Sequence, residues 1–368
     1  MTLALYRKYR PKTLEDLLGQ ESTVQILQNS ARQNHFAHAY LVYGSRGTGK
    51  TSTARLIAKL LNCEKRHTDP KFQAEGEPCN KCGSCLEIDS NTSLDVVEID
   101  AASNRGIDEI RNLKENLRVA PVGGHYKVYI VDEVHMLTGP AFNALLKTLE
   151  EPPAHVVFVL ATTEYEKLPA TITSRTQRFI FKRLPKSIIL SKLTTIAQIE
   201  KIKIDPDALD LLAAAGEGSF RDAESLLDQI ASSGEKITLS AVEKLTGRIG
   251  FKKVEQLTDL IIKADTAEIL KALSEIQEEG YNVVQLARDL IHYLRRVVSL
   301  KFNPSLKEHF QSELTKDELE SLKKFSESAD ADKTIILIKA LIRAYTEMRY
   351  SPFAIVPLEI ALIEHLKK

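Results

Sequence analysis

The chain has 368 residues, 43% of them hydrophobic, with 50 lysines and arginines balancing 50 aspartates and glutamates. That length suits two or three domains that each bury a core. No apolar run of about eighteen residues is present to span a bilayer, the N-terminus "MTLALYRKYRPK" turns basic too early for a secretory signal, and the balanced charge gives no sign of nucleic acid, so a globular cytoplasmic protein is expected.

Charge is less even along the chain. Through position 62, nine cations (Arg7, Lys8, Arg10, Lys12, Arg32, Arg46, Lys50, Arg55 and Lys59) face three anions (Glu15, Asp16 and Glu21), an excess of six. Phosphate-binding domains are built this way, and so are ordinary solvated surfaces.

The first informative stretch is "AYLVYGSRGTGKTSTARLIAKLLN". The apolar run 40–43 reads as a buried parallel strand, and Ala54, Ile57, Ala58 and Leu61 keep helical spacing after a glycine-rich turn. The turn, Gly44-Ser45-Arg46-Gly47-Thr48-Gly49-Lys50-Thr51 with Ser52 next, spells G-x-x-x-x-G-K-T. Its glycines let successive backbone N–H groups point into one concavity, and the following helix directs its positive end there. An ATP phosphate chain belongs in that nest, with Lys50 on the β- and γ-phosphates and the Thr51 hydroxyl on Mg²⁺. A plain glycine turn is the bland alternative.

All four cysteines, Cys63, Cys79, Cys82 and Cys85, fall in the polar insertion 62–88, spaced C-x15-C-x2-C-x2-C. Thiols stay reduced in the cytosol, which disfavours disulfides, and four thiolates suit a tetrahedral Zn²⁺ site with no open position, hence a structural one. His67 is the substitute ligand. A redox pair would need only two of the four, and free cysteines favour apolar surroundings that "EGEPCNKCGSC" does not offer.

Further strands follow at "DVVEID", "VYIVDE", "VVFVLATTE" and "RFIFKR". Asp132 closes one of them and is placed to hold Mg²⁺, while Glu133 orients and polarises a water for attack on the γ-phosphate. A surface acidic pair is the alternative. His135 reads as packed or solvated, since the two carboxylates already fill the roles. Thr162 and Thr163 end the next strand, where a hydroxyl can sense the γ-phosphate or simply cap the strand. Strands interleaved with helices through position 180 indicate a parallel α/β sheet with its ligands at the strand carboxyl ends.

After Pro185 the pattern is helical: Asp205 or Asp207 caps a first helix, Gly216 to Gly218 break it, and Ser240 to Glu243 read as a capping box. Val283, Leu286, Leu290, Leu294 and Val297, then Leu337, Leu341 and Met348, keep helical spacing to the end. The expected domains are 1–180, an α/β nucleotide-binding domain carrying the insertion, then 181–246 and 247–368, both helical.

"RKYRPKTLEDLLGQ", "GSRGTGKTS", "VYIVDEVHML", "ALLKTLEEPPAHVVFVLATTE", "TSRTQRF" and "GSFRDAESLLDQ" together resemble the gamma/tau subunits of the bacterial DNA polymerase III clamp loader. The resemblance implies an AAA+ module, a helical lid and a helical collar, an ATPase within the polymerase holoenzyme that joins other subunits in a five-membered ring and loads a sliding clamp on primer-template DNA. It also implies roles: Arg221 as the lid arginine sensing its own chain's nucleotide, Thr163 as the strand-end sensor, Arg175 as the finger reaching a neighbour's γ-phosphate in trans, and Arg10 and Pro11 against the adenine. The "TSRTQ" segment holds no acidic partner for Arg175. The family's usual S-R-C stands here as Ser174-Arg175-Thr176, which keeps the arginine and alters local packing. On this resemblance the collar is expected to end at Lys368, and the longer tau form of the family carries further polymerase- and helicase-binding segments; whether this chain is that form cut short or a natural short one is left open by the sequence. A translocating helicase or helicase loader and a non-hydrolysing scaffold are the rival readings; "KTLEEPP" and "SRT" speak against the first, and intact Lys50, Thr51, Asp132 and Glu133 against the second. Contact with DNA is expected to be sequence-independent and salt-sensitive, and no residue is assigned to it.

Overall fold

Five short runs rich in Val, Ile, Leu, Phe and Tyr become strands in the structure, a computed structural model that describes residues 3–311, 314 and 316–366. They are β1 (Ala39–Gly44), β2 (Val96–Asp100), β3 (Lys127–Asp132), β4 (Val156–Thr162) and β5 (Gln177–Phe181). All four pairings are parallel and the order is β2-β3-β4-β1-β5.

The inner strands β1, β3 and β4 are apolar almost without interruption because both their faces are covered. Alternate residues supply two cores. Tyr40, Val42, Val128, Ile130, Val157 and Val159 pack with Ala54, Ile57, Leu60 and Leu61 of the helix Lys50–Asn62. Leu41, Tyr129, Val131, Phe158 and Leu160 pack on the other face with Ile110 and Leu113 of the helix Ile107–Asn116 and Leu145 and Leu149 of the helix Gly139–Glu150. At the edge, β5 alternates, burying Phe179 and Phe181 while Arg178 and Ile180 face out.

Register decides where the strands stop. Tyr43 lies beside Thr162, Gly44 beside Phe181 and Asp100 beside Asp132, so the chain leaves the sheet for its functional loops along one edge. Two buried side chains fix the entry to β3. Asn62 Oδ1 accepts from the N–H groups of His125 and Tyr126 at 2.9 and 2.8 Å, and its Nδ2 donates to Tyr126 O. The Asp95 carboxylate accepts from the N–H groups of Val122, Gly123 and Gly124 at 2.7, 2.9 and 2.6 Å.

By its contacts the chain divides into two units. One runs to Leu184 and takes in Gly218–Arg221; the other comprises Pro185–Glu217 and the residues from Asp222 onward. The second unit is helical throughout its described residues apart from one isolated bridge between Ile204 and Ile237. The expected apolar stripe is there: Leu286, Leu290, Leu294 and Val297 of the helix Val283–Phe302 and Leu337, Leu341 and Met348 of the helix Ala331–Met348 are buried in one core, with Val283 half-buried against it. The last two residues of the 247–368 segment lie outside the described residues.

Two capping expectations are corrected. Thr238, not Ser240, caps the helix Leu239–Thr246 by accepting from Ala241 N–H, and Glu243, too far along to reach back, takes the Gly250 N–H at 2.9 Å. Asp205 does occupy the cap position of the helix Pro206–Ala215, but its carboxylate pairs with Lys236 at 2.7 Å and leaves the helix N–H groups alone; Asp207 sits inside the first turn. No helix among the described residues is long and apolar enough to cross a membrane.

Burial raises the pKa of Asp95, but the three N–H donors and nearby Lys127 outweigh it and the net shift is downward. A depressed carboxylate stabilises the fold fully above its ordinary pKa of 3.8 and loses that contribution as pH falls through the lower folded value. Asp95→Ala, which strands three N–H groups, should therefore cost about 2–4 kcal/mol at pH 7 by urea unfolding, and its difference from the parent chain should shrink below pH 3.8. An equal difference at pH 7 and pH 2.5 would contradict this account.

Candidate nucleotide site and cysteine cluster

The loop after β1 closes on its own backbone. Gly44, Gly47 and Gly49 take φ of +142°, +70° and +107°, a region side chains avoid. Space forbids a side chain as well: a Cβ on Gly44 would lie 2.0 Å from Phe181 O, and one on Gly47 would lie 1.8 Å from Ser219 Oγ. The helix Lys50–Asn62 starts from Gly49 with no side-chain cap, which leaves its first N–H groups for whatever the loop encloses.

Lys50 is buried, and its Nζ donates to Gly44 O and Ser45 O at 2.9 and 2.8 Å. Burial lowers its pKa, while Glu133 and Asp132 pull the other way. Buried Thr48 donates its hydroxyl to Ser45 O at 2.8 Å, Ser52 is half-buried in the first turn, and Arg46 is exposed.

The two carboxylates after β3 are held differently. Thr51 Oγ1 donates to Asp132 Oδ2 at 2.8 Å, which sets a hydroxyl and a carboxylate side by side, the oxygen donors that Mg²⁺ prefers. Glu133 stands in the left-handed region at φ +47°, and its Oε2 accepts from Thr163 N–H at 3.2 Å and Thr163 Oγ1 at 2.9 Å. Thr163 thus reaches the site through Glu133.

Sequence reasoning passed over two residues here. His135 is packed, as read, yet its Nδ1 lies 2.9 Å from Thr162 Oγ1 and 3.4 Å from Glu133 Oε2, while Nε2 lies 3.1 Å from Glu164 Oε1. It buttresses Glu133 between strand ends, and its place two residues after that carboxylate was the available signal. Gln20 exchanges hydrogen bonds with the backbone of Lys182, donating to its O at 3.1 Å and accepting from its N–H at 3.4 Å, and so ties the N-terminal segment to the end of β5.

Cations gather on the same unit. Arg10 is half-buried, and its pKa is lowered first by burial and then by Arg55, with Glu98 opposing and Arg7 and Arg221 adding repulsion. Pro11 beside it is half-buried. The Arg221 guanidinium stands 5.2 Å from the Tyr6 ring centroid, and Phe220 N–H donates to Gly47 O at 3.1 Å, so Ser219 to Arg221 run along the glycine-rich loop.

Arg175 departs from expectation. It has an acidic partner after all: Glu150, from the end of the helix Gly139–Glu150, lies 2.5 Å from its Nη2, and Nη1 donates to Thr171 O and Ser174 Oγ. The pairing comes from an element distant in sequence, which the local segment does not reveal.

The four cysteines do converge. Their Sγ atoms all lie within 4.8 Å of one another, against the roughly 3.8 Å separation that tetrahedral Zn–S bonds of about 2.3 Å require. Backbone N–H groups of Cys79, Lys81 and Cys82 already donate to sulfur, at 3.3 to 3.4 Å, as thiolate ligands demand. Its contact with Cys85 holds the Cys63 thiol well below the usual range and pushes Cys85 up. Buried Arg66, bound to Leu60 O and Ala31 O, is a cation close to Cys63 and Cys85 and favours their ionised form. The residues fit a zinc ion. His67 stays out of the cluster, with Nε2 2.8 Å from Leu61 O and its ring tilted against that of His125.

Three family models match successive parts of the chain: DNA polymerase III, delta subunit, over residues 19–185; the ATPase lid domain of the DNA polymerase III clamp loader subunit over 188–236; and domain III of DNA polymerase III subunits gamma and tau over 237–367. The fold is accordingly an AAA+ α/β domain with a lid and a helical collar region. Among curated relatives, DNA polymerase III subunit tau of Bacillus subtilis is 40% identical over 98% of this chain and 62% of its own length. DNA polymerase III subunit gamma of Buchnera aphidicola is 32% identical over 98% of this chain and 95% of its own. The chain thus spans about three fifths of the Bacillus relative and nearly all of the Buchnera one. Among solved structures, the Bacillus subtilis DNA clamp loader delta protein aligns at 14% identity with a TM-score of 0.40, covering 94% of this chain and 99% of that one. With 32% identity to the Buchnera subunit over 98% of this chain and 95% of that relative, the chain belongs to the DNA polymerase III gamma/tau subunit family.

Proposed function

We propose that this chain is an ATP-hydrolysing subunit of a cytoplasmic clamp loader, one of five members of a ring that opens a sliding clamp and sets it on primer-template DNA. The observation that carries the reading is the constellation at the carboxyl ends of β1, β3 and β4, where Thr51 bonds Asp132 and Thr163 bonds Glu133 beside the Lys50 loop. The domain division we propose, 1–180, 181–246 and 247–368, is supported by the three matched spans 19–185, 188–236 and 237–367.

In this reading the N–H groups of Gly44 to Gly49 cradle the phosphates, and Lys50 exchanges the Gly44 and Ser45 carbonyls for β- and γ-phosphate oxygens. Ser45, Arg46, Thr48 and Ser52 complete the loop. Thr51 and Asp132 would hold Mg²⁺, which when bound neutralises charge on those oxygens. Glu133 orients a water for in-line attack; the new P–O bond forms as the bond to the β–γ bridging oxygen breaks, giving ADP and phosphate, with the water's proton drawn toward the carboxylate. Thr163 keeps Glu133 aimed and senses the γ-phosphate, Arg221 senses the nucleotide from its own chain, and Arg10 and Pro11 lie against the adenine. Arg175 acts in trans, leaving Glu150 for a neighbour's γ-phosphate. Cys63, Cys79, Cys82 and Cys85 would hold zinc in a closed, structural site. ATP between subunits favours the ring closed on clamp and DNA, and hydrolysis weakens that interface. DNA is gripped through its phosphates without base reading, so binding falls steeply with salt.

Lys50→Ala should lose ATP binding, whereas Glu133→Gln should bind ATP and hydrolyse it at least ~100-fold more slowly. Nucleotide titration and steady-state turnover check both; equal loss of binding in the two variants would refute these roles.

One zinc per chain is expected by elemental analysis of protein purified without chelator, and Cys82→Ser should lower that content. A metal-free parent chain would remove the zinc reading.

Arg175→Ala should bind ATP normally but stimulate hydrolysis in its neighbour ~10³-fold less. Mixed with Lys50→Ala chains, each inactive alone, it should recover partial activity at interfaces where an intact loop meets an intact arginine. No recovery in assemblies confirmed as mixed by mass would mean that Arg175 acts within its own chain.

A further inference from the structure

Residues 12–15 present four successive backbone N–H groups that no strand or helix pairs. Asp16 Oδ2 takes the first two, accepting from Lys12 at 3.0 Å and Thr13 at 2.9 Å. The next two go to a residue more than sixty positions away: Glu77 Oε2 accepts from Leu14 N–H at 2.7 Å and Oε1 from Glu15 N–H at 3.3 Å. Gln28 Nε2 donates to the same Oε1 at 2.9 Å. Glu77 belongs to the cysteine insertion, two residues before Cys79.

The insertion is shaped to deliver that carboxylate. Gly76 takes φ +78°, and a Cβ there would lie 2.9 Å from Gln28 O, so the turn before Glu77 presses backbone to backbone on the helix Glu21–Gln33. Arg32 Nε donates to Ala74 O at 3.2 Å on the same helix. On its other side the insertion is tied to the phosphate-loop helix, where Lys59 Nζ donates to Asn80 Oδ1 at 2.8 Å and also meets Asp89 Oδ1, just past the insertion, at 2.6 Å. Beyond the clamp, Leu14 and Leu17 are buried in the core beneath the phosphate loop, and Leu17 Cδ2 lies 3.5 Å from where a Gly49 Cβ would stand. Arg10 and Pro11 lie four and three residues upstream of Leu14, the first residue that Glu77 clamps.

We propose that the cysteine insertion is a positioning device for the nucleotide base: Glu77, set between Gly76 and the cluster at Cys79, holds the backbone at Leu14 and Glu15 and thereby presents Arg10 and Pro11 to an adenine. The inference rests on the nucleotide reading above and gives the insertion a task at the site beyond holding its own fold. Glu77 is a positioning residue, since it acts through the backbone of others.

The test uses the full chain with two variants and three readouts: zinc content, hydrogen exchange of the 12–18 amides without nucleotide, and affinities for ATP and for inorganic tripolyphosphate, which has no base. Removing a charge-assisted acceptor of two N–H groups in Glu77→Ala should speed exchange at 12–18 by about 10-fold and weaken ATP by about 10-fold, with zinc content and tripolyphosphate affinity within about twofold. Glu77→Gln keeps one oxygen for Leu14 N–H and should restore most of the ATP affinity. Unchanged exchange, unchanged ATP affinity, or equal weakening of ATP and tripolyphosphate in Glu77→Ala would each overturn the proposal. Failure of the parent chain to bind ATP would instead refute the nucleotide reading, and the base-positioning proposal with it, whatever the exchange data.

Discussion

A parallel sheet covered on both faces leaves little room for chemistry except at the ends of its strands, and that constraint organises the first unit of this chain. Residues of β1, β3 and β4 are buried above and below, so a polar side chain within them would lose its water with no partner. Polar chemistry begins where the strands stop: Gly44 at the end of β1, Asp132 at the end of β3, Thr162 at the end of β4. Since Tyr43 and Thr162 lie side by side in register, the three loops leave the sheet together, and the Thr51–Asp132 hydrogen bond spans residues that lie 81 positions apart in sequence.

Charge and backbone shape are concentrated at that edge. Lys50 is buried against its own loop carbonyls, which lowers its pKa, and the carboxylates of Asp132 and Glu133 are close enough to counter the effect. Glu133 is held at a positive φ of +47°, a conformation that costs an ordinary residue on the order of 1–3 kcal/mol and persists only where surroundings enforce it. Here the enforcement is visible: Thr163 donates twice to its carboxylate and His135 packs beside it. The strained residue is the one whose carboxylate must point in a single direction.

Much of this was legible in the sequence, and the reasons for the misses are physical. The five strands, the glycine turn between β1 and its helix, and the convergence of the four cysteines follow from local patterns, and each stands where the residues put it. The helical stripe through Leu286 and Leu290 was equally local. What was not legible depends on long-range neighbours. Glu150 meets Arg175 only after the chain has crossed β4, and Glu77 meets Leu14 only because Gly76 turns the insertion onto another helix. The capping box at Ser240 failed for a different reason: Thr238, two residues earlier, offers the same hydroxyl, and helix start is settled by which one the backbone reaches first.

The pair between Arg175 and Glu150 bears on the trans role proposed for that arginine. Both side chains are partly exposed, at 34% and 46%, and an ion pair in that setting is worth about 0–1 kcal/mol. Such a bond biases the guanidinium toward one orientation by about fivefold at most and is too weak to hold it against a phosphate, whose oxygens offer charged, bidentate acceptance. Asn or Gln in place of Glu150 would leave the arginine free to sample other rotamers, so a more ordered alternative would have to come from Thr171 and Ser174, which bond it only as neutral acceptors. The acidic partner therefore need not oppose the trans role proposed for Arg175. In the role proposed for Arg175 it would keep the donor fork near its working position at little energetic cost, and the exchange of one anion for another would release the arginine to a neighbour's phosphate.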